Sequence, residues 1–520
     1  MLALSFLPVG HAQGSDPNDI ELLKAKLAEQ QKQLEVLRQS VDAQQKLIDH
    51  LTTPAATPAE QPPAQAAPAP EAKPAAASSA PLQLQIGNVT IMPVGFMDAT
   101  GVWRNRDTGS GIGSSFGSIP YSNAVPGGKL DEMRFSAQNS RLGFRVDGDW
   151  KGLRFIAYNE FDFLGGGASN NIGVTNGGFV PRLRLFWVDT RKGAFEFLAG
   201  QSWSLLTPGR SGISALPGDI FFSQVVDANY VIGLPWTRQP GFRFVFHAPK
   251  DKAAFAVSFE NPNQYMGGSG GGPKITLPTA LSGLAGSQLD DTSTSYLSTP
   301  NQMPDIIAKL AFDPTKRAHI EVAGLVRDFK IVNSTTGQAT SGQTFSKVGA
   351  GGSVNANFEL FKNFRLVTNN FLSDGGGRYI FGQAPDVIVR ADGSLSPIHT
   401  VSTVNGFEAT VAKKTLLYAY FGGLWIGQNT ALDANGTTKI GYGFLGSANS
   451  QNHIIREYTF GFNQTVWKDA KYGAINVMGQ YEYLTRNPWY VALNALNHAS
   501  DSTLYFNVRY SLPGGAPAKK

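Results

Sequence analysis

Nine arginines carry the most pointed chemistry in this sequence. Arg141, Arg145, Arg154, Arg184, Arg243, Arg327 and Arg509 fall on the polar side of segments that alternate apolar and polar residues, and Arg210 and Arg238 lie in one long connection. A guanidinium stays charged at any relevant pH and grips carboxylate or phosphate through two parallel hydrogen bonds. A ring of them at the narrowest point of an aqueous passage would favour anions. Arg141, Arg145, Arg184 and Arg243 rank first among the strand positions, being nearest that connection. The same segments also turn Asp147, Asp149, Glu160, Glu196, Glu260, Glu321, Glu408, Glu457 and Glu482 to the polar side. Pairing across the wall, giving a polar but neutral lining, therefore competes with an anion site.

Other chemistries find little support. The seven histidines, His11, His50, His247, His319, His399, His453 and His498, show no metal-ligand spacing. Gly267 to Gly271 fits a nucleophile elbow only because that stretch is glycine-rich, and it falls in a loop. No cysteine is present, which excludes thiol catalysis and a disulfide scaffold. Neither an enzyme nor a cofactor or metal is expected. A net charge of +5 over 520 residues gives no reason to expect nucleic acid.

The connection 204–238 is unusually apolar, with Ile220, Phe221, Phe222, Val225, Val226, Tyr230, Val231 and Ile232, and it contains Pro208, Pro217 and Pro235. An apolar loop of this length must be buried. Inside a barrel the available place is the lumen, as a constriction lined by Trp203, Asp219, Asp227, Tyr230 and Trp236. Packing against a neighbouring protomer is the alternative. Trp203, Tyr230 and Trp236 could also serve as a stacking track for sugars.

The elements that must position these side chains are strands. In Arg141 to Trp150, Leu142, Phe144, Val146 and Trp150 share one face, whereas Arg141, Arg145, Asp147 and Asp149 share the other. A strand with one apolar and one ionised face meets two different solvents. Such runs predict strands at 91–105, 133–149, 153–163, 180–191, 194–203, 239–248, 252–260, 303–312, 317–330, 345–359, 364–373, 404–412, 415–427, 453–467, 472–485 and 502–512. Their connections alternate. Short ones, each holding a lysine, fall at 150–152, 192–193, 249–251, 313–316, 360–363, 413–414 and 468–471. Long ones fall at 106–132, 164–179, 204–238, 261–302, 331–344, 374–403, 428–452 and 486–500.

Tight turns at one rim and long loops at the other describe an all-β fold, a 16-stranded antiparallel transmembrane β-barrel. Sixteen strands leave an aqueous lumen. A sandwich lacks this alternation of connections, and a propeller would show a repeat of about 40 residues. Trp103, Trp150, Trp187, Trp467, Tyr481 and Tyr483 sit near strand ends, as interface girdles require. Mean hydropathy is −0.15 and no run reaches about 18 apolar residues, so no helix is expected to span a membrane. A barrel wall writes its apolar face on alternate residues, where window averaging hides it. The charged fraction of 16%, against about 25% in soluble domains, suits a chain with half its strand positions facing lipid.

Ahead of the barrel, residues 1–14 read as the remnant of an export signal. Ile20, Leu23, Leu27, Gln30, Leu34, Leu37, Val41, Gln44, Ile48 and Leu51 keep a 3,4 spacing, which predicts a coiled coil over 15–51. Residues 52–81 form a Pro/Ala-rich linker, an extended spacer, and the barrel occupies 82–520. An even strand number places both termini on the short-turn side, in the periplasm. The coiled coil alone could instead make the chain a structural envelope tether or assembly platform.

Together, coiled coil, Pro/Ala linker and sixteen strands resemble the DcaP-like trimeric outer-membrane porins, and more distantly the phosphate-selective porins. Gly200-Gln-Ser-Trp-Ser204 and Gly233-Leu-Pro-Trp-Thr-Arg-Gln-Pro-Gly-Phe-Arg243 resemble stretches of that family. The resemblance implies a homotrimer, held by coiled coil 20–51 and by barrel walls, in outer-membrane lipid. It implies passive passage of small hydrophilic solutes, neutral or anionic, with a mild preference for anions such as dicarboxylates. One departure is the tail Pro513 to Lys520, which follows the last strand where such barrels commonly end at an aromatic residue. Tyr510 would stand in for it.

Overall fold

The computed structural model describes residues 82–513, except 172–174, 221–223, 269–273, 285–287, 290–302 and 334–341. The export-signal remnant 1–14, coiled coil 15–51 and linker 52–81 lie outside the described residues, as does the tail after Pro513. Sixteen strands build one closed sheet. They are β1 (Val89–Arg104), β2 (Glu132–Ser136 and Arg141–Trp150), β3 (Leu153–Asn171), β4 (Thr175–Lys192), β5 (Phe195–Trp203) and β6 (Arg238–His247). Then come β7 (Ala253–Glu260), β8 (Asp305–Thr315), β9 (Ala318–Asn333), β10 (Gln343–Phe361) and β11 (Phe364–Asp374). The last five are β12 (His399–Val411), β13 (Thr415–Ile426), β14 (Asn452–Asp469), β15 (Gly473–Pro488) and β16 (Ala499–Ser511). Each pairs antiparallel with its sequence neighbours. The ring closes where Phe96–Arg104 of β1 pairs with Thr503–Ser511 of β16.

The two-solvent reading of the strands is visible in burial. On β6, Phe242, Phe244 and Phe246 are exposed on the outside while Arg243, Val245 and His247 are buried on the inside. Leu142 and Phe144 of β2 point out, and Arg145 points in. At the seam, the pairing of β1 with β16 begins just past Gly95, which has φ +123°. A side chain there would meet the Arg141 carbonyl at 2.1 Å, so glycine is what allows β1 and β2 to approach.

Every expected strand is present, but the connections differ in detail. The long loop expected at 164–179 is mostly strand: β3 and β4 run on to Asn171 and Thr175, with shifts of register on the way. Its Gly- and Asn-rich sequence carries no alternation, yet backbone pairing needs none. Two small hairpins, Val387–Val389 with Leu395–Pro397 and Asn429–Leu432 with Lys439–Tyr442, stand in the long connections. The hydrophobic core sits inside the ring. There Phe116, Ile119, Leu205, Leu206, Ile232, Tyr379 and Val387, all from connections, pack against inward residues such as Leu325, Leu424 and Ile455.

Candidate functional site

The connection 204–238 lies inside the barrel, and wall side chains on opposite sides hold its backbone. Glu260 of β7 accepts the Leu205 N–H at 2.8 Å, and Glu321 of β9 accepts the Gly209 N–H at 3.0 Å. Lys309 of β8 donates to the Thr207 carbonyl at 2.8 Å. Asn355 and Asn357 of β10 donate to the carbonyls of Gly209 and Arg210. Across the lumen, Gln480 of β15 accepts the Val226 N–H and Glu457 of β14 accepts the Ile232 N–H, each at 2.8 Å. The Tyr230 hydroxyl receives Arg141 of β2 at 3.3 Å and Arg184 of β4 at 3.4 Å. A buried N–H left without such an acceptor costs about 1–3 kcal/mol, so each anchor matters. The segment also rides directly on the wall backbone. A Cβ on Gly233 would meet the Gly423 carbonyl at 2.5 Å, and one on Gly422 the Ile232 carbonyl at 2.2 Å.

Most of the expected arginines are brought to carboxylates. Arg184, 2% exposed, holds Glu160 at 2.6 Å and Asp162 at 2.7 Å. Arg210 grips Glu408 of β12 with two nitrogens, at 2.7 and 3.0 Å. Arg145 pairs with Asp147 at 2.7 Å, and Arg327 with Asp305 and Asp386. Arg509 holds Asp98 at 2.8 Å, and Arg141 stands 3.8 Å from Glu160. Arg141 and Arg509 both lie over the Phe96 ring, at 5.0 and 4.0 Å from its centroid. Arg243 is buried and donates to the Trp203 carbonyl at 2.6 Å. Arg238 lies over the rings of Trp203 and Trp236, at 5.2 and 5.8 Å, with no ion pair among the described residues.

The other residues expected in the connection are placed as follows. Trp203, Tyr230 and Trp236 pack edge to face, with centroids 5.0 to 6.3 Å apart, and Trp236 stacks on Phe381 at 4.9 Å. All three are buried. Asp219 closes a short 3-10 turn, and its carbonyl accepts the Arg210 N–H at 2.8 Å. Asp227, 2% exposed, accepts the N–H groups of Ser114 and Asn229. Burial pushes the Asp227 carboxyl up to about 6, against the pull of those donors. Ser114 in turn donates from its hydroxyl to Glu482 of β15 at 2.8 Å, tying the first long connection to the same wall. Among the described residues no cluster of His, Asp and Glu could hold a metal ion.

Beside the connection, toward the short turns, lies a cavity of about 790 Å³. Arg210, Lys250, Lys252, Lys316 and Arg365 line it against Asp251 and Asp313. A second cavity of about 660 Å³ shares Lys316 and Arg365 and adds Arg145, Arg154 and Arg191 against Asp189, Glu196 and Asp219. A third, of about 510 Å³, is balanced, with Arg141, Lys468 and Arg509 facing Glu160, Asp227 and Asp469. Sequence reasoning missed Lys316 and Arg365 as lining residues. The signal was present in the lysine of each short turn, which reads equally well as a headgroup anchor.

No family model and no curated protein matches the sequence. Solved structures do. The outer membrane channel DcaP of Acinetobacter baumannii matches with a TM-score of 0.57 at 15% identity, over 82% of this chain and 99% of that one. The anion-selective porin from Comamonas acidovorans matches with a TM-score of 0.43 at 12% identity, over 82% and 100%. The trimer form of OmpT of Vibrio cholerae gives 0.44 at 10% identity, over 81% and 99%. The likeness to DcaP concerns the fold, a closed barrel of sixteen antiparallel strands. DcaP is the neighbour expected from the sequence.

Proposed function

We propose that this chain is a homotrimeric diffusion porin of the outer membrane, passing small hydrophilic solutes with a mild preference for anions such as dicarboxylates. The connection 204–238 acts as its constriction, and the short turns and both termini lie in the periplasm. The observation that supports the anion preference is the cavity beside the connection, where Lys250, Lys252, Lys316 and Arg365, besides Arg210 that Glu408 neutralises, face two Asp. Elsewhere the inward arginines are largely neutralised by the carboxylates they touch. Selectivity then rests less on the expected ring, Arg141, Arg145, Arg184, Arg243 and Arg509, than on the cations left over around Lys316 and Arg365. A weak excess of fixed charge in a wet passage gives a bias and not an absolute filter.

Swelling of liposomes that contain the purified protein tests the solute class. Succinate should enter faster than a diamine of the same length, and neutral solutes should fall between. Equal rates, or faster entry of the diamine, would contradict the anion preference. A sugar track is less well supported, because Trp203, Tyr230 and Trp236 are all buried.

A further inference from the structure

The connection 204–238 is seated differently on its two sides. Toward β9 and β12 the carboxylates that hold it have cations: Lys309 stands 3.2 Å from Glu321, and Arg210 itself grips Glu408. The stretch 225–232 rests on carboxylates alone. Glu457 accepts the Ile232 N–H and the Thr459 hydroxyl, while Glu482 accepts the Ser114 hydroxyl and the Gln480 amide. Ser114 also gives its N–H to Asp227 at 3.2 Å, so one residue bridges Asp227 and Glu482. Glu457 and Glu482 are 0% exposed, and Asp227 is 2% exposed.

Among the described residues no Lys, Arg or His forms an ion pair with any of the three, and the nearby cations are engaged elsewhere. Arg104 of β1 holds Glu132 at 2.8 Å, Arg509 of β16 holds Asp98 at 2.8 Å, and Arg141 of β2 stands 3.8 Å from Glu160. The other titratable neighbours add no positive charge. Tyr418 of β13 donates to Gln480, the Tyr505 hydroxyl of β16 receives Arg104, and Asp501 of β16 accepts the Thr503 hydroxyl. Lys468 and Asp469 oppose each other in the lining of the cavity that Asp227 also lines. That cavity reaches the short turn 468–471 and gives protons a way in.

Three carboxylates buried together without a cation resist ionisation, and their mutual repulsion adds to the cost. Protonation removes that cost and keeps the anchors of Glu457 and Glu482. The hydroxyls of Thr459 and Ser114 can turn to accept the new proton, while the second carboxyl oxygen still receives its N–H donor. We propose that the stretch 225–232 is a proton-operated latch on the constriction: protonated carboxyls hold it against β14 and β15, and ionisation loosens it and widens the passage. The inference rests on the reading of 204–238 as the constriction of a diffusion porin. The docked state holds protons more tightly than the loosened one, so docking is favoured as pH falls and is lost as pH rises above the ordinary carboxyl range of about 4.

The natural chain has no cysteine, so Val226→Cys supplies a single thiol in the full-length protein. At pH 7.5 a water-soluble maleimide should label it about tenfold faster than in the same chain carrying Glu457→Gln with Glu482→Gln, matching a docked state that holds one carboxyl proton tighter by the same factor. In planar bilayers the wild type should lose single-channel conductance between pH 7.5 and 5, whereas the Gln pair should stay at the low level at both. Asp227→Asn gives the same comparison if the pair lacks the heat-modifiable band of a folded barrel. Equal labelling, or an equal response of conductance to pH in wild type and variant, would overturn the latch and leave the porin standing. Absence of wild-type conductance at both pH values would overturn both.

Discussion

Arg184 sits between Glu160 and Asp162, and little of its guanidinium reaches the passage. Alternation along β4 was enough to point it inward. What alternation could not supply was its partners, because they are set by the register of β4 against β3, and register leaves no mark on composition. The same applies to Arg210 with Glu408, a pair 198 residues apart. Lys316 and Arg365 show the complementary effect: they lie at the short-turn end, where facing carboxylates are fewer. Lys316→Gln with Arg365→Gln should lower the anion-to-cation permeability ratio toward unity, read from reversal potentials, with folding unchanged. An unaltered ratio would remove them from the selectivity account. Asp227 makes a second prediction. Its folded carboxyl titrates near 6, above the ordinary value of about 3.9. The folded state therefore holds that proton more tightly, so stability is lost as pH rises through about 4 to 6 and regained on acidification. Thermal unfolding from pH 7.5 to 5 should show the wild type gaining on Asp227→Asn, and parallel curves would contradict it.

At the scale of elements, the connection 204–238 is held as a strap by many separate anchors. Its apolar sequence announced that it must be buried, and the lumen is where it lies. Which wall residues receive it was not legible, because Glu260, Glu321, Asn355 and Gln480 look like any inward polar residue. Glu321 is the busiest of these, facing the Gly209 N–H, Lys309 and Asn355 at once. Glu321→Ala would strand a buried lysine and free one end of the strap, a loss of about 3–5 kcal/mol by analogy with broken buried pairs. Single-channel records should then show a larger and noisier conductance. A trace like that of the wild type would mean the strap does not set the passage. The small hairpins 387–389 with 395–397 and 429–432 with 439–442 escaped sequence reading because neither faces lipid, so neither has the two-faced pattern.

For the whole molecule, the strand count and the ring closure follow from one rule, that each strand has lipid on one face and a polar interior on the other. That rule is written in every second residue and was readable in every strand except the Gly- and Asn-rich extensions of β3 and β4. The filling of the lumen by connections was readable only for 204–238, since Phe116, Tyr379 and Val387 come from loops with ordinary composition. Deleting residues 15–81 separates a porin from an envelope tether: solute flux per barrel should persist, and a variant that keeps flux yet disrupts the envelope would favour the tether. The central claim is best tested by the reversal potential of the purified protein in a planar bilayer under a potassium chloride gradient. The account predicts a modest potential of the sign set by chloride. A potential of the sign set by potassium would contradict it.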